Sequence, residues 1–206
     1  MDDRARSEWR WAATALRLTA VPRRNAYRGI VGGFPFDLDH EGGGTRLTLR
    51  ARLPPGFTLM HETLRSRIGG MLGAGDLVTG DDAFDAAIRV AFAPGDPAAR
   101  AVLGSGARAE IRRLLGRGVT VGGDTLRYAT SEVIADSDAL VGLARDLAFL
   151  ASLLSLGRDE IAQRLFENTY DPEPAVRRRS LEALVEAFPE SDECARAARG
   201  ALSDSD

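Results

Sequence analysis

Apolar residues recur along this chain with two different periods, and the change of period marks its elements. Trp9, Ala12, Ala13 and Leu16 follow helical spacing, which predicts a first helix capped by Ser7. From residue 26 the period becomes two, and the residues between the apolar positions include Arg46, Arg50 and Arg52. The alternating apolar positions are Phe34, Phe36, Leu38, Leu47, Leu49, Ala51 and Leu53. Two strands with one buried face and a short glycine-rich connection indicate a β-hairpin.

The middle of the chain mixes both periods. "FTLMHE" is typical of a further strand, and the glycine-rich segment 65–83 predicts an exposed loop. Alternation from Phe84 through Ile88 to Phe92 predicts a strand, which "PGDP" ends. A helix broken near residues 104–106 follows, then a second hairpin with its turn at 122–124. A long helix capped by Asp136 or Ser137 completes the region. The pattern predicts an α+β fold, in which helices pack on one face of an antiparallel sheet of about five to seven strands.

Beyond Gly157 the chain has no alternating segment and only short amphipathic helices. We therefore predict an α+β domain at 1–156 and a helical segment at 157–206. No flexible linker separates the two parts, so we expect them to pack together.

The segment "DPEPAVRRRSLEAL", residues 171–184, resembles the turn and second helix of a HEAT repeat. Asp171, Pro172 and Pro174 would form the turn, followed by the Val-Arg pair and a helix rich in alanine and leucine. Residues 158–170 would be the preceding helix, and an ordinary helical hairpin is the alternative. Because about three repeats are needed for stability, the resemblance implies a longer solenoid that continues past Asp206.

A second stretch, "GDLVTGDDAFDAAIRVAFAPGDPAARAVL", is similar to a widespread uncharacterised bacterial α+β domain. In that group a Gly-Asp-x-x-Phe-Asp strand leads to a helix and then to a hairpin. We know of no established activity for it, so the resemblance supports the architecture alone.

The amino-acid composition of the chain excludes several kinds of catalytic and binding site. The 206 residues carry a net charge of -3, and all 27 basic residues are arginine. The absence of lysine excludes a Walker-type phosphate loop and a Schiff-base lysine. One cysteine allows neither an internal disulfide nor a multi-cysteine zinc site. The amino-terminal residues lack the apolar stretch of a signal peptide, and Arg145 and Asp146 interrupt the longest apolar region. We therefore expect a soluble cytoplasmic protein without nucleic-acid or membrane binding.

Two acidic segments are the candidate cation sites. "DLDHEGGGTRLT", residues 37–48, begins like a calcium loop, but Thr48 at the twelfth position cannot chelate with two oxygens. Its strand-like flanks and three glycines favour a hairpin tip. The second segment contains Asp76, Asp81, Asp82 and Asp85, a set that could bind Mg²⁺ or perform acid–base chemistry. Local bonds from Thr79, Asp81 and Asp82 to turn amides are the favoured interpretation, with Asp85 on the solvent side of its strand.

The remaining candidates give no catalytic constellation. Ser105 in "GSG" lacks the spacing of a nucleophile elbow, and Cys194 and His61 fit structural roles. We assign no catalytic, cofactor-binding or metal-binding residue. The densest basic run is Arg177, Arg178 and Arg179, which is typical of a solvated helix face. The alternatives for this run are an internal ion pair or a partner's carboxylates, which make it the candidate partner-binding site.

The leading hypothesis is a noncatalytic protein–protein interaction module, a scaffold or an adaptor, that uses no cofactor. One alternative is an enzyme of unrecognised type that uses the acidic loop 76–85 and His61. Another is a domain that binds a small ligand in the concavity of the sheet.

Overall fold

The computed structural model describes residues 1–61 and 75–203 of the chain. The helices are α1 (Asp3–Ala15), α2 (Asp82–Ala87), α3 (Pro97–Ala101), α4 (Ser105–Leu115), α5 (Ser137–Leu154), α6 (Ile161–Asn168), α7 (Pro174–Ala187) and α8 (Asp192–Ser203). A 3₁₀ turn, Arg158–Glu160, precedes α6. The strands are β1 (Thr19–Ala20), β2 (Ala26–Val31), β3 (Phe34–Glu41), β4 (Gly44–Arg50), β5 (Thr58–His61), β6 (Gly75–Asp76), β7 (Ile88–Phe92), β8 (Val119–Gly122) and β9 (Thr125–Thr130).

The described strands form one sheet in the order β1-β2-β3-β4-β9-β8-β5-β7-β6. Every neighbouring pair is antiparallel. The predicted α+β class is therefore confirmed, and the helices of the carboxy-terminal part follow the sheet. Nine strands exceed the predicted five to seven because β1 and β6 contain only two residues each.

The hairpins follow from glycines that adopt positive φ. Glu41 pairs with Gly44, which leaves Gly42 and Gly43 as a two-residue turn with φ values of 62° and 87°. Two successive positive φ values define the type I′ turn, whose twist matches that of the flanking strands. Residues 37–48 are thus two strands and a hairpin turn, as predicted. Gly123 has a φ of 63° in the β8–β9 turn, so the second predicted hairpin is confirmed as well.

Helices α1 and α5 cover one face of the sheet and enclose the main core. Trp9 is fully buried, and its indole Nε1 donates a 2.9 Å hydrogen bond to the carbonyl of Ile134. Asp136 caps α5 by accepting from the amides of Asp138 and Ala139, which confirms one of the two predicted caps. The large side chains that are fully buried include Phe36, Phe57, Phe84, Leu38, Leu47, Leu49, Leu126, Leu140 and Leu147.

The cap predicted at Ser7 is wrong, and the strand predicted over residues 84–92 is wrong in its first four residues. Asp2, and not Ser7, caps α1, because the Asp2 carboxylate accepts from the amide of Ala5 at 2.8 Å. The predicted strand over residues 84–92 is instead helix α2 followed by β7. The spacing of Phe84 and Ile88 fits one face of a helical turn as well as one face of a strand, and both side chains are buried.

The predicted exposed loop 65–83 falls only in part within the described residues. Residues 65–74 lie outside them. The rest contains β6, the buried Leu77 and Thr79, and the beginning of α2, so this part is not an exposed loop. The predicted strand in "FTLMHE" is confirmed as β5.

Residues 157–203, the tail, form three helices that contact one another, and α6 and α7 also contact α3 of the body, residues 1–156. A small cluster of buried side chains lies within the tail and at its contact with α3. Its members are Ala101, Leu165, Leu184, Cys194 and Ala197. Body and tail therefore pack together as expected, and the domain boundary at 156–157 stays a prediction.

Among the described helices, none has by itself the length and apolarity that a bilayer crossing requires. By the same criteria, the sharply bent pair formed by α5 and residues 158–168 passes on length and composition alone.

Candidate functional site

The acidic turn before α2 is held by its own carboxylates. Asp85 accepts from the amide and hydroxyl of Thr79, at 3.0 and 2.8 Å, and from the amide of Gly80 at 2.9 Å. Asp81 caps α2 by accepting from the amide of Phe84 at 2.9 Å. The predicted bonds of Thr79 and Asp81 within the turn are confirmed. The prediction for Asp85 is wrong, because this residue lies on a helix and its carboxylate faces the turn.

Asp81 also belongs to a buried network of ion pairs around Arg108. The Arg108 side chain is 3% exposed, and its Nε donates to Asp81 at 2.9 Å. The two terminal nitrogens donate to both carboxylate oxygens of Asp171, at 2.9 and 3.0 Å, and one also donates to the carbonyl of Leu103. Asp171 begins the turn that precedes α7. The network therefore joins the body to the tail.

The network also shifts the pKa values of Asp81 and Arg108. Burial acts to raise the pKa of Asp81, but the amide of Phe84 and the guanidinium of Arg108 outweigh burial and lower it. Burial likewise opposes the charge of Arg108, and the bonds to Asp171 and Asp81 raise its pKa. A carboxylate with a lowered pKa is a weaker base. The chemistry of Asp81 thus favours a structural role over acid–base catalysis.

The other predicted candidates lie apart from one another. Ser105 begins α4, Cys194 is a buried free thiol on α8, and His61 ends β5. Asp82 is exposed in the first turn of α2. Within the part of the chain that the structure describes, no group of three or more His, Cys, Asp or Glu side chains could hold a metal ion.

The three consecutive arginines of the tail point in different directions. Arg177 donates to the carbonyls of Asp171 and Pro172, at 2.9 and 3.1 Å, and Arg179 donates to the carbonyl of Val78. Arg178 is largely exposed and lies 3.8 Å from Glu182. Arg177 and Arg179 therefore bind backbone carbonyls of this chain, whereas the contact of Arg178 is a long, exposed ion pair.

Arg178 lies in a groove of the tail with a volume of about 320 Å³, which we call the tail groove. Tyr170 at one end is 67% exposed and packs edge-on against Phe166 with ring centres 5.5 Å apart. The guanidinium of Arg196 stacks over Phe166 at 4.4 Å from the ring centre. The groove is lined by Tyr170, Arg177, Arg178, Leu181, Ala197 and Gly200.

The sheet face opposite the helices forms a second depression, with a volume of about 610 Å³. We call it the arginine groove after the five arginines that line it, Arg24, Arg28, Arg46, Arg50 and Arg127. Its lining also includes Asp37, Asp39 and Glu41, so basic groups exceed acidic ones by two. In a chain with a net charge of -3, this face is locally positive.

One buried carboxylate, that of Asp37, organises the arginine groove. The side chain of Asp37 is 8% exposed and binds two guanidiniums, those of Arg28 and Arg50, the latter at 3.0 Å. Arg46 pairs with Glu41. Burial and the neighbouring Asp37 raise the pKa of Asp39, although Arg46 and Arg28 act in the opposite direction. Neither Arg24 nor Arg127 forms an ion pair with any residue that the structure describes.

The sequence pattern indicates only part of the arginine groove. Alternation placed Arg46 and Arg50 opposite the buried leucines, but it did not bring in Arg28 or Arg127. The register does so, because Arg28, Asp37, Thr48 and Arg127 are successive partners across β2, β3, β4 and β9. Arg28 and Arg127 occupy polar positions of the strand segments "AYRGIV" and "TLRYAT". The order of the strands is needed to place these two positions on one face.

Comparison of the chain with protein-family models, with curated proteins and with solved structures gives no significant match. The resemblances of the tail to a HEAT repeat and of the body to a bacterial domain stay predictions.

Proposed function

We propose that this chain is a noncatalytic protein-binding module of the cytoplasm, a scaffold or an adaptor, and that a partner docks in the tail groove. The observation that carries the proposal is the exposure of Tyr170 beside Leu181 and Arg178 in a formed groove. Tyrosine and arginine are enriched among the residues that dominate binding energy at protein interfaces. Tyrosine also supplies a large contact area at a low cost in conformational entropy.

The lining of the groove defines the chemistry of the partner. Leu181, Ala197 and the aromatic ring of Tyr170 offer an apolar floor, and Arg178 offers a guanidinium at the rim. The pair with Glu182 is exposed and long, so it competes weakly for that guanidinium. The groove therefore suits a protein segment that presents an apolar side chain next to a carboxylate.

The buried network supports this role by holding the groove in place. Arg177 donates to the backbone of the 171–172 turn, and Arg108 binds the Asp171 carboxylate from the body. A docking surface that is fixed before binding loses less conformational entropy when the partner arrives. The mutual packing of the successive helices α6, α7 and α8, with Pro174 in the first turn of α7, also supports a HEAT-like arrangement.

Affinity purification of tagged wild-type and variant chains from the native cell tests the proposal. Tyr170→Ala removes the exposed ring, and Trp11→Ala is its matched control, because Trp11 is also 67% exposed but lies on α1 of the body. We expect a protein that co-purifies with the wild type and with Trp11→Ala to be lost with Tyr170→Ala.

That protein is then purified and titrated. We expect Arg178→Glu to weaken its binding by about tenfold or more, since one charge-assisted bond is replaced by repulsion. Arg145→Glu, on the exposed side of α5, should leave the affinity unchanged. A partner whose affinity responds to neither tail variant would contradict docking in the tail groove.

A further inference from the structure

Three arginines of the arginine groove form a triangle across β4 and β9. Arg127 pairs across the strands with Thr48, which lies midway between Arg46 and Arg50 on the same face. Diagonal neighbours in an antiparallel sheet lie about 7–8 Å apart. Because an arginine side chain spans a comparable length, all three guanidiniums can reach one point above Thr48. Arg24 and Arg28 extend the positive surface on the β2 side.

The ion pairs within the triangle are incomplete. Arg50 shares the carboxylate of Asp37 with Arg28, and Arg46 binds the exposed Glu41. The Nε of Arg46 is buried and has no hydrogen-bond partner among the described residues. A buried donor without an acceptor costs free energy, so the pair with Glu41 leaves Arg46 only partly satisfied by the chain.

From this geometry we propose that the arginine groove binds a small soluble molecule that carries a phosphate or oligophosphate group. A terminal phosphate presents three oxygens, which matches three guanidiniums, whereas a carboxylate presents two. The described lining includes no Phe, Tyr or Trp, so recognition rests on the charged group and not on stacking of a nucleobase. The volume of about 610 Å³ fits a small molecule. This site is separate from the tail groove.

Isothermal titration of the purified chain at constant ionic strength tests the proposal, with tripolyphosphate, pyrophosphate, orthophosphate and citrate as probes. We expect one saturable site for at least one phosphate probe, with weaker binding as salt is added. Arg127→Gln should weaken that binding by about tenfold, since a charge-assisted bond is lost. Arg145→Gln on the opposite side of the sheet is the matched control and should bind like the wild type.

Two further variants separate a binding role from a structural one. Arg24 lies in an exposed turn, so Arg24→Gln should fold normally. It tests the groove even if Arg127→Gln unfolds. Glu41→Gln releases Arg46 from its ion pair and should strengthen phosphate binding, which no loss of folding would produce. Absence of saturable binding to every phosphate probe, or equal affinity in Arg127→Gln, Arg24→Gln and the wild type, would overturn the proposal. Binding of citrate alone would also overturn it, in favour of a carboxylate ligand.

Discussion

The body and the tail are stabilised by different means. In the body, a sheet and two long helices enclose a core that contains large aromatic and aliphatic side chains, among them Trp9, Phe36 and Phe57. The buried cluster of the tail contains two leucines, two alanines and a cysteine, and one of these alanines belongs to α3 of the body. Apolar burial alone therefore stabilises the tail less than the body.

The difference shows why a polar network lies between the two regions. Short helices are stabilised mainly by packing against neighbours, and here the body supplies one neighbour through α3. Arg108 and Asp171 add a contact with a defined geometry, with two parallel bonds between buried groups. Such a contact fixes orientation more than it adds stability, because desolvation offsets much of the attraction.

The largest effect is expected from breaking this network. Asp171→Ala leaves Arg108 buried with a single carboxylate, and removing one partner of a buried ion pair costs about 3–5 kcal/mol. Urea unfolding monitored by circular dichroism measures the loss. The single variants Arg108→Met and Asp171→Leu are measured beside the double variant Arg108→Met/Asp171→Leu. The double variant should lose less stability than the two single losses added together. Additive losses would show that the two side chains do not interact.

A truncation in the small cluster should separate the two regions. Leu184 is fully buried in the tail, and Leu184→Ala should cost about 2–4 kcal/mol. Hydrogen exchange should show lost protection in α6, α7 and α8, while β3 and β4 keep theirs. Leu147→Ala in the main core is the matched change and should lower protection everywhere. Equal loss in both regions for Leu184→Ala would mean that body and tail unfold together.

A stabilising change should arise at Ser180, a buried position of α7. Ser180 is 1% exposed, and its hydroxyl has no hydrogen-bond partner among the described residues. Ser180→Ala should therefore raise the free energy of unfolding by about 1 kcal/mol. Ser7→Ala, at an exposed position within α1, controls for helix propensity. A gain no larger than that of the control would indicate that the hydroxyl is satisfied in solution.

The smallest effects are expected from pH, with opposite signs at two sites. The pKa of Asp81 is below its ordinary value of 3.8, so its contribution is present above that pH and is lost as pH falls through the folded value. The pKa of Asp39 is raised above 3.8, so its contribution is present below that pH and is lost as pH rises through the folded value.

Urea titrations between pH 3 and 7 can measure both slopes. Asp81→Asn should be less stable than the wild type at neutral pH and should flatten its loss of stability in acid. Asp39→Asn should be more stable than the wild type at neutral pH. A raised pKa of Asp39 would be contradicted if Asp39→Asn were less stable than the wild type at neutral pH.

Much of the fold was predictable because local signals were strong. Glycine pairs mark the turns of the two predicted hairpins, and Asp136 and the proline and glycine residues around 94–97 mark element ends. Helix α2 around Phe84 was not predictable. A short apolar run fits the period of a helix as well as that of a strand, and the capping bond of Asp81 decides between them. The cap of α1 was predicted at Ser7 and lies at Asp2 for a similar reason, since both residue types favour the N-cap position of a helix.

The candidate sites were less predictable because they depend on pairings distant in sequence. Arg108 and Asp171 are 63 residues apart and carry no shared local pattern. The arginine run at 177–179 was visible, but the acceptors of Arg177 and Arg179 are backbone carbonyls that composition cannot reveal. The arginine groove needed the strand order, which places β9 beside β4 although 74 residues separate Arg50 from Thr125.

The two-residue turn between β3 and β4 has a practical consequence. A β-carbon on Gly42 or Gly43 would meet no atom within 4 Å, whereas one on Gly44 would collide with the carbonyl oxygen of Thr130. The space around either turn residue therefore admits a side chain, at a cost in backbone strain because both have positive φ, whereas Gly44 admits none. A fluorophore attached there would lie next to Glu41 and would report optically on what enters the neighbouring depression.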